Sequence, residues 1–209
     1  DGDLARIAAC AGSPVRVEVV EGRLSRDDEI TRIARSLGPG IPLYAEIPVA
    51  RTDELLPSLA GAGARAKIRT GGVIADVFPA AAEVARFILS CSRASVPFKA
   101  TAGLHHPVRG SYPLSYDAGA QCTTMYGFLN VFMAAAVARS GAGVSTLERI
   151  LMDSDPAHFS FSDVDASWCD SHVDLATLVD TRASTAIAFG SCSFREPLDD
   201  LVSLGLLTS

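Results

Sequence analysis

The sequence predicts an α/β protein of parallel β-α repeats that form part or all of a (β/α) barrel. Three observations predict it. β-Branched runs alternate with helical stretches in the order β-α-β-α-β-α-β, followed by a final β-α, which implies a parallel sheet covered by helices. Four consecutive strands each carry one apolar and one charged face. Finally, 48% of the 209 residues are hydrophobic and 20% charged, a composition that fills one large core.

The elements follow in order. Val15–Glu21 (VRVEVVE) alternates and is β-branched, so it reads as a strand. Ser25 serves as an N-cap with Asp28 three residues on, and a helix runs through Ile30, Ile33, Ala34 and Leu37 to Gly38. Leu43–Val49 is the second strand. Thr52 caps a short helix through Leu55, Leu56 and Leu59, closed by Gly61 and Gly63. Ala64–Thr70 is the third strand and ends in Gly71-Gly72. Pro79 suits the first turn of a helix that passes through Val84, Phe87 and Ile88. Val96–Ala102 is the fourth strand. The stretch from Gly103 to about Thr123 reads as a long loop, and loops of that length are usually functional or mobile. Tyr126–Ala138 is a strongly apolar helix, suited to the core or a subunit interface. Ser145 and Glu148 form a capping box for another helix. Residues 153–170 have no regular pattern. Asp170 or Ser171 starts a helix to about Arg182, Ala186–Ser191 is a fifth strand, and Pro197 opens a last helix through Leu201 and Leu204.

Five such strands fit either an open doubly wound sheet or the second half of an eight-stranded barrel. The faces favour the barrel. Side chains alternate along a strand, which sets Arg16 and Glu18, Tyr44 and Glu46, Lys67 and Arg69, and Lys99 and Thr101 against apolar neighbours. A parallel sheet buried on both sides is apolar on both. A barrel with an active site inside is apolar outward and polar inward, with its chemistry at the C-terminal strand ends. The chain starts at Asp1 rather than a methionine, so the C-terminal part of a longer barrel, or a processed product, is expected. A half-barrel must cover its open edges, which makes a homo-oligomer the expected state.

Bulk properties exclude several classes. The net charge is −6 with scattered basic residues, so no nucleic-acid partner is expected. No apolar run reaches the roughly 18 residues of a membrane span, and no signal segment opens the chain. The five cysteines are dispersed and lack a CxxC pair, which argues against a disulfide framework or structural zinc and for a reducing, cytoplasmic setting. No cofactor is expected.

The candidate chemistry centres on Lys99-Ala100-Thr101-Ala102-Gly103-Leu104-His105-His106-Pro107 and Lys67-Ile68-Arg69-Thr70-Gly71-Gly72. These two segments resemble the lysine strands of class I aldolases of the deoxyribose-phosphate type, over about fifteen residues and in reversed order. KATAGLHHP and GSCSF also resemble segments of uncharacterised bacterial barrel proteins. The aldolase resemblance implies a Schiff-base lysine, with Lys99 favoured over Lys67. Such an amine must be neutral near pH 7, which a nearby ammonium or desolvation promotes. Glu46 or Glu18 would then shuttle protons, and His105 would act as general acid or base. Arg69, Thr70, Gly71, Gly72, Thr101, His106, Arg109, Ser191 and Ser193 are expected to bind a small anionic or carbonyl substrate through backbone N–H groups and charge-assisted hydrogen bonds. The expected activity is that of a lyase or isomerase. Two alternatives remain: a metal-assisted enzyme using Glu18, Glu46 and a histidine, although HxH and HExxH are absent, and a non-catalytic anion-binding or assembly protein whose charged face is an ion-pair network. Cys192 reads as a small buried thiol.

Overall fold

A computed structural model of the chain describes residues 2–10, 14, 16–37, 40–191 and 193–208. The expected features at Val15, Gly38 and Cys192 lie outside them. The described residues form helices α1 (Gly2–Ala9), α2 (Asp27–Ser36), α3 (Thr52–Gly61), α4 (Ala81–Ala94), α5 (Phe128–Arg139), α6 (Val144–Met152), α7 (Leu175–Ser184) and α8 (Arg195–Ser203). The strands are β1 (Val20–Arg23), β2 (Leu43–Glu46), β3 (Arg65–Arg69), β4 (Phe98–Thr101), β5 (Gly110–Pro113), β6 (Cys122–Met125), β7 (Phe159–Phe161), β8 (Asp165–Trp168), β9 (Ser171–Asp174) and β10 (Ala186–Gly190).

The main sheet is parallel, in the order β1-β2-β3-β4-β10. β1 and β10 are its two edges, so the described residues form no closed barrel. The expected apolar face is present. Ala45, Ala66, Ile68, Phe98 and Ala100 are fully or almost fully buried beneath a layer in which α2 packs on α3, α3 on α4, and α4 on both α5 and α6. Phe98 meets Phe87 of α4 edge to face at 5.4 Å, the arrangement that aromatic quadrupoles prefer.

The first strand departs from its expected position. It begins at Val20, so Arg16–Val19 precede the sheet and Glu18 is an exposed partner of Arg16. Every residue of VRVEVV suits a strand, so the sequence pattern did not fix its start. A shift of three residues exchanges the faces, and Glu21 takes the inward place expected of Glu18. Helix starts move too. α2 is preceded by Arg26 and α6 by Gly143, neither with a side-chain cap, so the caps expected at Ser25 and Ser145 do not form. The helix expected from Asp170 begins later, after β9, where Asp174 caps it by accepting from Thr177 N–H at 2.7 Å.

Two segments that read as irregular are β structure. The long loop folds into the antiparallel hairpin β5-β6, and the stretch 153–170 contributes β7 and β8 to an antiparallel sheet completed by β9. Buried Asn130 of α5 anchors the hairpin. Its side chain accepts from Arg109 N–H at 2.8 Å and donates to Ile150 O at 2.7 Å and Asp153 O at 2.9 Å. Gly127 just before it has no room for a side chain, because a Cβ there would lie 2.3 Å from the Pro107 carbonyl. Asn130→Ala strands three backbone groups and is expected to cost about 2–4 kcal/mol, measured as a lower urea midpoint.

Candidate functional site

The inward face of the main sheet is a row of alternating charges. Lys67 and Lys99, the chain's only two lysines, are register partners on β3 and β4. Glu21 of β1 stands between them, 2.5 Å from Lys99 Nζ and 2.9 Å from Lys67 Nζ. Glu46 of β2 lies 3.2 Å from Lys67 and also takes Arg23 at 3.0 Å and Arg69 at 3.3 Å. The side chains of Lys67 and Glu46 are only 15% and 12% exposed, so this pairing offsets a real desolvation cost. Burial pushes the Glu21 and Glu46 carboxyls up, but the lysines around Glu21, and Lys67 with Arg69 around Glu46, hold both below their ordinary value. Burial likewise works against the Lys67 ammonium, yet Glu21 and Glu46 raise its pKa. That is opposite to what an amine nucleophile requires.

Beyond this face, at the C-terminal ends of β3, β4 and β10, lies a cavity of about 700 Å³. Arg69, Gly72, Ala102, Gly103, His105 and Glu196 of α8 line it, together with residues of the β5-β6 hairpin. Ala102 and Gly103 turn the chain sharply after β4 with φ of 67° and 72°, a conformation that costs a non-glycine residue about 1 kcal/mol or more. The turn brings His105 to the cavity. His105 Nδ1 lies 3.2 Å from Ser191 Oγ and 3.6 Å from Glu196 Oε2, and Tyr116 donates to the same Glu196 oxygen at 2.9 Å. Burial lowers the His105 pKa, with Glu196 opposing and His106 reinforcing the shift.

Ser191, His105 and Glu196 are not a nucleophilic relay. Both partners approach the same ring nitrogen, and the Ser191 hydroxyl donates to Ser193 O at 2.8 Å. With that proton engaged, the His105 Nδ1 proton faces Ser191 or Glu196, and Nε2 carries the lone pair. This tautomer is assigned from the hydrogen-bond network, and it is the form a general base requires.

The other expected site residues divide into groups. Thr70 is buried and donates to Thr101 O at 3.1 Å and Ala102 O at 2.7 Å, locking β3 to the end of β4. Thr101 donates to Ile68 O at 3.4 Å. Gly71 provides clearance for Phe78, whose ring would lie 2.4 Å from a Cβ there. Ser193 Oγ accepts from Glu196 N–H at 3.1 Å and so caps α8. His106 stacks on Tyr112 at 3.4 Å and pairs with Asp200 at 2.6 Å, joining the hairpin to α8. Arg109 points away from the cavity, toward Met152 O at 3.5 Å. Lys67, Lys99 and Glu46 lie on the sheet face and do not line the cavity. Sequence reasoning missed Glu21, Glu196 and Tyr116. Glu21 was legible as the end of the first strand, whereas the other two come from the long loop and the last helix, with no local motif.

No family model, curated protein or solved structure matches the chain.

The charge row makes stability depend on pH at both extremes. Glu21 and Glu46 are held below 4.5, so their contribution is present above that value and lost as pH falls through the lowered values. Lys67 is raised above 10.5, so its contribution is present below that value and lost as pH rises through the raised one. Urea unfolding across pH should show both limbs. Glu46→Gln should shrink the acid limb and cost about 1–3 kcal/mol at neutral pH.

Proposed function

We propose that this chain is an enzyme with a partial (β/α) barrel, acting as an isomerase or lyase on a small anionic carbonyl compound. In this reading the reaction is proton transfer at the carbon beside the carbonyl, with His105 as the base. The observation that carries it is His105 itself: a half-buried histidine with a lowered pKa that lines the cavity together with Arg69 and Glu196. A neutral imidazole at pH 7 accepts a proton, and perturbed titratable groups beside charged partners gather at functional sites. Arg69 would hold the substrate's negative group, because its side chain is 40% exposed and only its Nε pairs with Glu46. Tyr116 would steer Glu196, whose carboxylate would stabilise the imidazolium at its Nδ1–H. The lysines and Glu46 then serve as a fixed ionic floor that anchors Arg69.

Lysine-dependent chemistry is the second reading. One observation favours it at Lys99: its ammonium meets a single carboxylate, Glu21, where Lys67 meets two. A cytoplasmic protein fits the described cysteines, all of which are free thiols. No helix among the described residues is long and apolar enough to cross a membrane. The two open sheet edges support a homo-oligomer, which light scattering on the eluted protein tests.

Wash-in of solvent deuterium beside the carbonyl of pyruvate and of dihydroxyacetone phosphate, followed by NMR, tests the acid–base reading. Exchange should fall about 10²–10⁴-fold in His105→Gln and weaken in Arg69→Gln through a raised KM, with Arg109→Gln unchanged. Its acid limb should lie below 6.5, the ordinary histidine value, since burial keeps the base form present to lower pH. Exchange in His105→Gln equal to the native chain sinks the reading. Borohydride trapping of pyruvate on Lys99 would replace it with the second.

A further inference from the structure

The β7-β8-β9 sheet carries a second group of chemically active side chains, remote in sequence from every residue lining the cavity. Asp153 ends α6, His158 ends the turn before β7, and Cys169 follows β8. One ligand atom from each lies within 4.8 Å of the other two. The ladder explains the meeting. Phe159 pairs with Trp168, and the Cys169 N–H donates to His158 O at 2.9 Å, so His158 and Cys169 stand opposite one another at the ladder's end. Side chains opposed in this way share a face. The Cys169 backbone is left-handed, at φ 48°, an uncommon state for a non-glycine residue.

Asp153 is held from two sides. Trp168 Nε1 donates to Oδ2 at 2.7 Å, and Asp155 N–H donates to Oδ1 at 2.9 Å. His158 Nδ1 meets the same Oδ2 at 2.8 Å. A second carboxylate, Asp155, reaches within 3.8 Å of His158 Nε2. The cation facing the group is Arg149, stacked 5.2 Å over the Trp168 ring, against the carboxylates of Asp153, Asp155 and Asp170. The local balance is therefore negative.

We propose that Asp153, His158 and Cys169 bind a divalent transition-metal ion of the zinc class. The donor set of carboxylate oxygen, imidazole nitrogen and thiolate sulfur is the mixture that suits a borderline-soft ion, and three protein ligands leave a further position for water or Asp155. A ligating carboxylate is ordinarily anchored by an outer hydrogen bond, and the Trp168 indole provides it. The imidazole and the thiol must be deprotonated for the ion to bind, so affinity rises with pH. Asp155, Asp170 and Arg149 are the other charged groups facing the site and set the size of that dependence. The proposal is independent of the acid–base reading of the cavity.

The test is calorimetry with Zn²⁺ alone on the whole chain, with Co²⁺ as an optical probe. The native chain should bind about one ion, give a near-ultraviolet thiolate-to-cobalt band, and bind more tightly as pH rises from 6 to 8. Cys169→Gly removes the thiol and relieves the left-handed backbone, so it should fold at least as well and lose the band. It and His158→Gln should each weaken Zn²⁺ binding by about 100-fold or more, and Trp168→Phe by about 10-fold. Cys122→Ser should change nothing. Absence of Zn²⁺ binding by the native chain, or undiminished binding by Cys169→Gly, overturns the proposal.

Discussion

The row Lys99–Glu21–Lys67–Glu46–Arg69 is the interaction on which the main sheet depends. A parallel sheet normally buries both faces under apolar side chains. Here one face is apolar and lies under helices, while the other is charged and only partly open to water. Such a face is tolerable only if each charge finds an opposite neighbour, since an isolated buried ion costs several kcal/mol. The four strands β1 to β4 meet this requirement jointly. No strand carries a complete pair at the centre of the row, so the ions also specify which strand stands beside which and in what register. A slip of one residue in β3 would turn Lys67 toward the helices and Ile68 toward the charges.

That dependence explains why so much of the sheet was legible. Leu43–Glu46, Arg65–Arg69 and Phe98–Thr101 alternate strictly, and their two faces could be read from the sequence and found in place. The first strand was misplaced because Val15, Val17, Val19 and Val20 are all good strand residues, so local pattern could not choose between registers. The choice is made across strands, by the lysines that need Glu21. The hairpin β5-β6 and the sheet β7-β8-β9 escaped notice for another reason. Segments such as Gly110–Pro113 and Phe161 with its neighbours are short and half exposed, and Ser, Gly and Asp interrupt their alternation.

The site was legible in part for the same reason. His105 and Arg69 lie at strand ends and could be proposed from the β-α order alone. Glu196 and Tyr116 reach them from α8 and the hairpin, through pairings that no spacing rule encodes. Several residues expected at the substrate instead hold the framework. Thr70 ties two strand ends together and Ser193 caps α8, while His106 both lines the cavity and is clamped between Tyr112 and Asp200. Polar residues at strand ends therefore divide between the cavity lining and the framework, and their hydrogen-bond partners show which tie the framework together.

The neighbour of β4 on its open side is β10, yet the chain reaches it only after the hairpin, two helices, the three-stranded sheet and α7. Closing so long an excursion carries more entropy than closing the short β-α links of β1 to β4, and contacts of high sequence separation form slowly. These costs favour an assembly in which β1 to β4 pair before β10. Until then β4 presents an unpaired edge, so the interval before the C-terminal strand docks is when the nascent chain is most exposed to wrong pairing. The docking of β10 also carries Gly190 and Ser191 to the cavity beside His105, so the pocket is incomplete until the C-terminal strand is in place.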